Sequence, residues 1–186
     1  MLETLLHWDE ELLLLINGAH SVGLDQLMVL LSNKFSFLLY LPIVAIIYRR
    51  SGGIKTAWVL LGALVTYILD DTISTRVFKY NFARLRPCHE PHLEGVLNLP
   101  DGCGGQFGFI SSHAANHFGL ALFFALVFAR YVPKSFWCFF ILPTSIIYSR
   151  VYLGAHYPGD VICGALLGLL VAFGTCKLFK SKLETP

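Results

Sequence analysis

The stretch SRVYLGAHYPGDVICGALLGLLVAFGTCKLFK, residues 149–180, decides the fold. Residues 159–179 are apolar apart from Asp160 near the start and Lys177 near the end. A helix crosses the roughly 30 Å hydrocarbon core with about 20 apolar residues, so this segment reads as a membrane span. Gly164 and Gly168 have the small-xxx-small spacing that lets helices approach closely. Pro158 fits the first position of a helix. His156 then falls just before the span and Asp160 in its first turn, where a carboxylate suits the helix dipole. There it can hold one imidazole nitrogen of His156 and leave the other free.

Outward from this stretch, four more segments read as spans: 26–48, 54–79, 113–131 and 135–149, the last short and kinked at Pro143. In the N-terminal 1–20 segment, Leu5, Leu6, Trp8, Leu12 and Leu13 are mixed with Glu3, Asp9, Glu10 and Glu11. That pattern fits an interfacial helix; the alternative is a sixth span. No basic n-region marks a cleavable signal peptide. The expected fold is an all-α integral membrane bundle of five spans plus an interfacial helix, one domain over 1–186.

Composition agrees. Of 186 residues, 55% are hydrophobic and 14% charged, and the mean hydropathy is +0.63. Soluble domains carry about a quarter charged residues. Disordered and typical cytosolic proteins are thereby excluded, and a net charge of +2 argues against a nucleic-acid partner. Arg49, Arg50 and Lys55 share one side of the expected topology with Arg130, Lys134, Lys177, Lys180 and Lys182, against the single acid Glu184. The positive-inside rule makes that side cytoplasmic. The 80–112 loop and the 150–158 turn then face outward. Cys88 and Cys103 share this outer loop, where a disulfide is expected. Cys138, Cys163 and Cys176 read as buried thiols, and no cysteine spacing suggests a metal site.

Ionisable residues converge on the outer ends of the spans: Lys79, Arg84 and Arg86, then Ser111, Ser112 and His113, then Arg150, His156 and Asp160. Such clusters at a bilayer are costly and point to function. Arginine forks and a lysine suit phosphoryl oxygens, and Ser111 and Ser112 open a span whose N-terminus offers free N–H groups. Two histidines can divide attack and proton donation, one neutral and one protonated. Asn116 and His117 read as supporting or packing residues one turn further along. Arg84 fits either a second phosphate or a solvated position. His89, Glu90, His92 and Glu94 read as solvated, and Asp70 and Asp71 as a buried network with Arg76 or Lys34.

These residues resemble the type-2 phosphatidic acid phosphatase family, which shares its core with vanadium haloperoxidases. Its K-x6-R-P motif is matched from Lys79 to Arg86-Pro87, and its S-R-x5-H-x3-D motif from Ser149-Arg150 through His156 to Asp160. The P-S-G-H motif reads Ile110-Ser111-Ser112-His113, keeping the serine and histidine. The resemblance implies that Lys79, Arg86, Arg150, Ser111 and N–H groups near Ser112 hold phosphate. It implies that His156 attacks phosphorus to form a phosphohistidine, that Asp160 orients it and that His113 protonates the leaving oxygen. No metal or cofactor is implied. A lipid with a phosphorylated head, at the outer face of a bacterial inner membrane, is the expected substrate. Undecaprenyl diphosphate comes first, then phosphatidylglycerophosphate, phosphatidic acid and lipid A. A phosphotransferase and a lipid-binding or transport protein on a dead phosphatase fold are the alternatives.

Overall fold

The computed structural model describes residues 1–128 and 133–184 and is built from helices; among these residues the one β pairing is an isolated bridge between Leu85 and Phe107. Arg130 lies outside the described residues, as do the side chains of Lys34, Lys134 and Glu184.

Helix α1 (Leu2–Gly18) meets α2 (Val22–Ser32) at a bend of 118°. Leu5, Trp8, Leu12 and Leu15 stay exposed, while Leu13 and Asn17 are buried against the bundle. Asn17 Nδ2 donates to the carbonyls of Asn98 and Tyr152, and its Oδ1 accepts from the Asn98 N–H. The N-terminal helix is therefore pinned to the outer loop and to the bundle.

A 3-10 segment (Lys34–Tyr40) leads into α3 (Leu41–Thr72), which is broken at Gly52. Its φ of 78° is a conformation that glycine adopts without steric cost. The two halves fold back on each other there. Phe37 meets Tyr67 edge to face at 5.4 Å, and Tyr40 and Val44 share a cavity of about 320 Å³ with Ala63 and Leu60. These pairs mirror one another about residue 52, so segments 35–51 and 53–72 form an antiparallel hairpin. Among the described residues, Phe35–Phe82 and Pro158–Leu183 are the two helical stretches long and apolar enough to cross a membrane, three if α1 and α2 make one bent span.

Beyond α3 come a π-helical turn (Ile73–Lys79) and a last short turn, α4 (Tyr80–Phe82). The outer loop follows, then α5 (Ser112–Phe128), α6 (Ile141–Tyr152) and α7 (Pro158–Glu184). The kink expected at Pro143 is absent. The 135–149 segment is a 3-10 stretch (Pro133–Phe140) running into α6, and Pro143 sits in the first turn of α6, where its missing N–H breaks no helical bond.

Helix α5 is the hub, packed between α3 and α7. At Gly164 and Gly168 of α7, an added Cβ would strike the backbone of Ser111, just before α5, and of Ala115 in α5. The opposite face of α7 exposes Ile162, Leu166, Leu170 and Phe173, a stripe suited to lipid. Asp70 does not pair with Arg76, which is exposed, and the side chain of Lys34, the other expected partner, lies outside the described residues. Asp70 is fully buried against α5, and among the described residues its carboxylate oxygens have no hydrogen-bond partner. Gly119, lacking a side chain, leaves the space that the Asp70 carboxyl fills.

Candidate active site

The α6–α7 turn fixes the first components. Gly154, at φ 65°, closes the end of α6, and the Ala155 N–H returns to the Arg150 carbonyl at 3.1 Å. The fold thus brings Arg150, from the last turn of α6, and His156 to one buried place. Tyr157 is the N-cap of α7. Asp160, three residues on, reaches back to accept the Tyr157 N–H at 3.1 Å through Oδ2. The same oxygen lies 3.5 Å from His156 Nδ1, behind the ring, so Nε2 is the nitrogen left for chemistry. Burial, and then the charges of Arg86, Arg150 and Lys79, hold the His156 imidazole well below its ordinary pKa. His156 is therefore a neutral base at pH 7.

Lys79 arrives by way of the π-helical turn. Residues five apart in an α-helix sit about 140° from each other, since each residue turns about 100°. The wider π turn brings Ser74 and Lys79 toward one face. Both donate to Ser112 Oγ at 2.8 Å. Ser111 is occupied otherwise than expected. It is fully buried, its hydroxyl accepts the Ala114 N–H, and its own N–H donates to the Asp160 carbonyl at 3.0 Å. Its hydroxyl thus caps α5, and its backbone N–H ties the His113 helix to the His156–Asp160 turn. His113, next in α5, is within electrostatic range of Arg150, His156, His117 and Lys79.

Arg86 is set by the outer loop. Its N–H donates to the Gln106 carbonyl at 3.0 Å and its Nε to the Phe107 carbonyl at 3.3 Å. Gly104 makes room for its guanidinium, and Gly108 for both its side-chain stem and the Asp160 carboxylate, because a Cβ at either would crowd them. Cys88 and Cys103 are joined as a disulfide with Cα atoms 5.8 Å apart, closing this loop on itself. His89 lies with them, but the bonded sulfurs offer no thiolate and its Nε2 faces the Gly104 carbonyl at 3.0 Å. A cavity of about 300 Å³ opens at this end of the bundle, lined by Thr75, Lys79, Tyr80, Arg86, Gln106 and Phe107.

One expectation for the surroundings needs correction. Arg84 is neither solvated nor free for a second phosphate. It donates to Asp160 Oδ1 at 2.9 Å and to Asp9 Oδ2 at 2.7 Å, and lies over the Tyr157 ring. His92 is exposed but engaged, with Nε2 2.9 Å from Glu10 Oε2 of α1. His117 packs as expected: Phe37 stacks on it at 4.3 Å, and Nε2 lies 3.1 Å from Ser36 Oγ. Asn116 is buried with its side-chain oxygen unpaired.

Asp9, Ser32 and Ser74 were not singled out from sequence. Ser32 Oγ accepts from the Arg150 guanidinium. These contacts join residues 75 and 118 positions apart, and an acid on an amphipathic helix reads as solvated. Only Ser74, five residues before Lys79, carried a local signal, and only for a π-helical turn.

A sequence profile described as the PAP2 superfamily matches residues 55–183. The chain is 32% identical over 180 residues to a lipid A 4'-phosphatase of Porphyromonas gingivalis, covering 96% of this chain and 75% of that protein. It is 30% identical over 166 residues to an undecaprenyl-diphosphatase of Sulfolobus acidocaldarius, covering 88% and 74%. Its fold is similar to that of a transmembrane PAP2 type phosphatidylglycerolphosphate phosphatase from Bacillus subtilis, with a TM-score of 0.72 at 21% identity over 97% of this chain and 88% of that one.

Proposed function

We propose, from the premise that this chain belongs to the PAP2 superfamily and is a membrane lipid phosphatase, that it removes a terminal phosphate monoester from a lipid head group through a phosphohistidine. The observation that carries this reading is the convergence of Arg86, Arg150 and Lys79 on the fully buried His156, with Asp160 behind its Nδ1.

The sequence of steps is short. Lys79, Arg86, Arg150 and the orphan N–H groups of the first turn of α5 receive the phosphoryl oxygens. Neutral His156 attacks phosphorus through Nε2, and the bond to the lipid oxygen breaks. That oxygen takes a proton from His113. Water, giving its proton back to His113, then attacks the phosphohistidine, and phosphate and free His156 are released.

Lipid A is the substrate this reading puts first. Arg84, the candidate for a second phosphate, is already held by two carboxylates, which favours a head group presenting a single phosphate. The similarity to a lipid A 4'-phosphatase over 96% of the chain supports the same choice. Undecaprenyl diphosphate is the second reading, supported by the similarity to an undecaprenyl-diphosphatase. Phosphate release is measured with purified protein against lipid A, undecaprenyl diphosphate, phosphatidylglycerophosphate and phosphatidic acid. The expected order puts lipid A first; a preference for undecaprenyl diphosphate reverses the assignment. His156→Ala is expected to abolish release from all four, and normal turnover in that variant removes the mechanism.

In our reading the site faces outward from a bacterial inner membrane, with five spans. The placement of positive charge supports it. Lys182 lies over the Trp58 ring, which sets the end of α7 beside the Arg49–Lys55 turn. Helix geometry puts this end about 40 Å from Lys79, at about 1.5 Å per residue over 53–79. A cysteine placed at Glu94 is expected to react with a membrane-impermeant thiol reagent in intact cells, and protection from it would invert the orientation.

A further inference from the structure

We propose that Asp9 and Arg84 are positioning residues: a carboxylate–guanidinium–carboxylate chain that holds Asp160 behind His156 and makes the N-terminal helix α1 part of the catalytic apparatus. This inference rests on the phosphohistidine reading above.

The geometry divides the two oxygens of Asp160. Oδ2 accepts the Tyr157 N–H and faces His156, while Oδ1 accepts from Arg84 Nη1 at 2.9 Å. The other arm of the same guanidinium donates to Asp9 Oδ2 at 2.7 Å. A planar fork spans two carboxylates in fixed directions, which the freely rotating ammonium of a lysine does not impose. The Tyr157 ring, 4.0 Å from the guanidinium carbon, packs against the fork. Arg84 is also anchored through its backbone, its carbonyl accepting the Gly108 N–H at 2.9 Å.

Asp9 performs a second task that the α7 sequence cannot. An N-cap residue normally turns a side-chain oxygen onto the N–H of the second or third helical residue. Tyr157 has no oxygen within that reach. Asp9 Oδ1, from a helix 150 positions away in the chain, accepts the Gly159 N–H at 2.6 Å instead. One carboxylate of α1 thus caps α7 and holds the arginine that orients the carboxylate of α7. Without Arg84, Asp160 loses its Oδ1 donor and is held through the Tyr157 N–H on Oδ2 alone. The 3.5 Å spacing to His156 is then fixed at one oxygen instead of two. Neither Asp9 nor Arg84 lines the cavity beside Lys79 and Arg86, so the loss falls on turnover and not on substrate capture.

The test is steady-state kinetics with lipid A on the purified, full-length protein, the thermal midpoint of each variant being measured alongside. Asp9→Asn and Arg84→Met are each expected to lower kcat about 10- to 100-fold with KM within about twofold, the size expected for a reacting group displaced by about 1 Å. The double variant is expected to fall no further than Arg84→Met, because Asn keeps an Oδ1 acceptor for the Gly159 N–H and Asp9 otherwise acts through Arg84. Arg84→Ala is expected to regain turnover when guanidinium ion is added and not when sodium or ammonium is added. A purely structural role predicts none of that rescue. If the two single losses multiply, or guanidinium restores nothing, the chain of contacts does not act as a unit and the inference fails. The His156→Ala control separates this failure from the other. If His156→Ala stays active, the mechanism itself is wrong. If it is dead while Asp9→Asn and Arg84→Met turn over at the wild-type rate, the mechanism stands and only the positioning role is lost.

Discussion

Replacing Gly168 by alanine tests whether the α5–α7 contact sets the geometry of the site. The new methyl group would meet the backbone of Ala115 and Gly119, neither of which can swing aside like a side chain. The helices must part. Overpacking of a tight contact costs about 1–3 kcal/mol, and each kcal/mol lowers the midpoint of a chain this long by roughly 2–4 °C. A fall of roughly 2–12 °C is expected. The functional loss should be larger in proportion, because α5 carries His113 and the phosphate-binding N-terminus while α7 carries Asp160. A displacement of about 1 Å between reacting groups costs about 100-fold in rate. Gly174 provides the control on the same helix. Nothing lies within 4 Å of the position its Cβ would take, so Gly174→Ala should gain up to about 1 kcal/mol of helix propensity with kcat unchanged. Thermal unfolding in detergent and phosphate release read both quantities. If Gly168→Ala keeps the wild-type midpoint and kcat, the close approach does not position the site and the argument is refuted.

Two further predictions follow from the site itself. Burial and the surrounding cations hold the His156 pKa well below its ordinary value of about 6.5. The native state therefore binds fewer protons there than the unfolded chain below that pH, so stability from this group falls as pH drops. Neutral His156 also persists, and phosphoenzyme formation is expected to stay flat through pH 6.5; a rapid-quench profile already half-lost at or above that pH would contradict it. Cys103→Ser frees the loop whose Gln106 and Phe107 carbonyls hold Arg86. KM should rise about tenfold, the loss of roughly 1.4 kcal/mol of uniform binding, with kcat little changed; an unchanged KM shows that the loop is held without the disulfide.

Much of this was legible in one dimension because its signals are local. Apolar length gives an all-helical membrane protein, with Phe35–Phe82 and Pro158–Leu183 long and apolar enough to cross. The proline at 158 and the i, i+4 spacing of His156 and Asp160 place a carboxylate behind an imidazole. Gly164 and Gly168 announce a close helix contact before any partner is known. The end of one apolar run at 48 and the start of the next at 54 leave a short connection, and there α3 breaks at Gly52 and folds back. The Pro143 kink was misread because the helix starts at Ile141, and a proline in a first turn costs no hydrogen bond.

The sequence by itself determined which residues could meet a phosphate, since arginine, lysine and histidine at span ends leave little other reason to be there. It also determined that the chain would fold in lipid, from apolar length alone. The tertiary structure decided how those charges are shared. It assigned Arg84 to two carboxylates, Ser111 to a helix cap and Asp9 to the N-terminus of a helix 150 positions away. Such pairings depend on the angles at which whole helices cross, and those angles come from the packing of glycine faces and the bend between α1 and α2, which no local pattern of residues specifies.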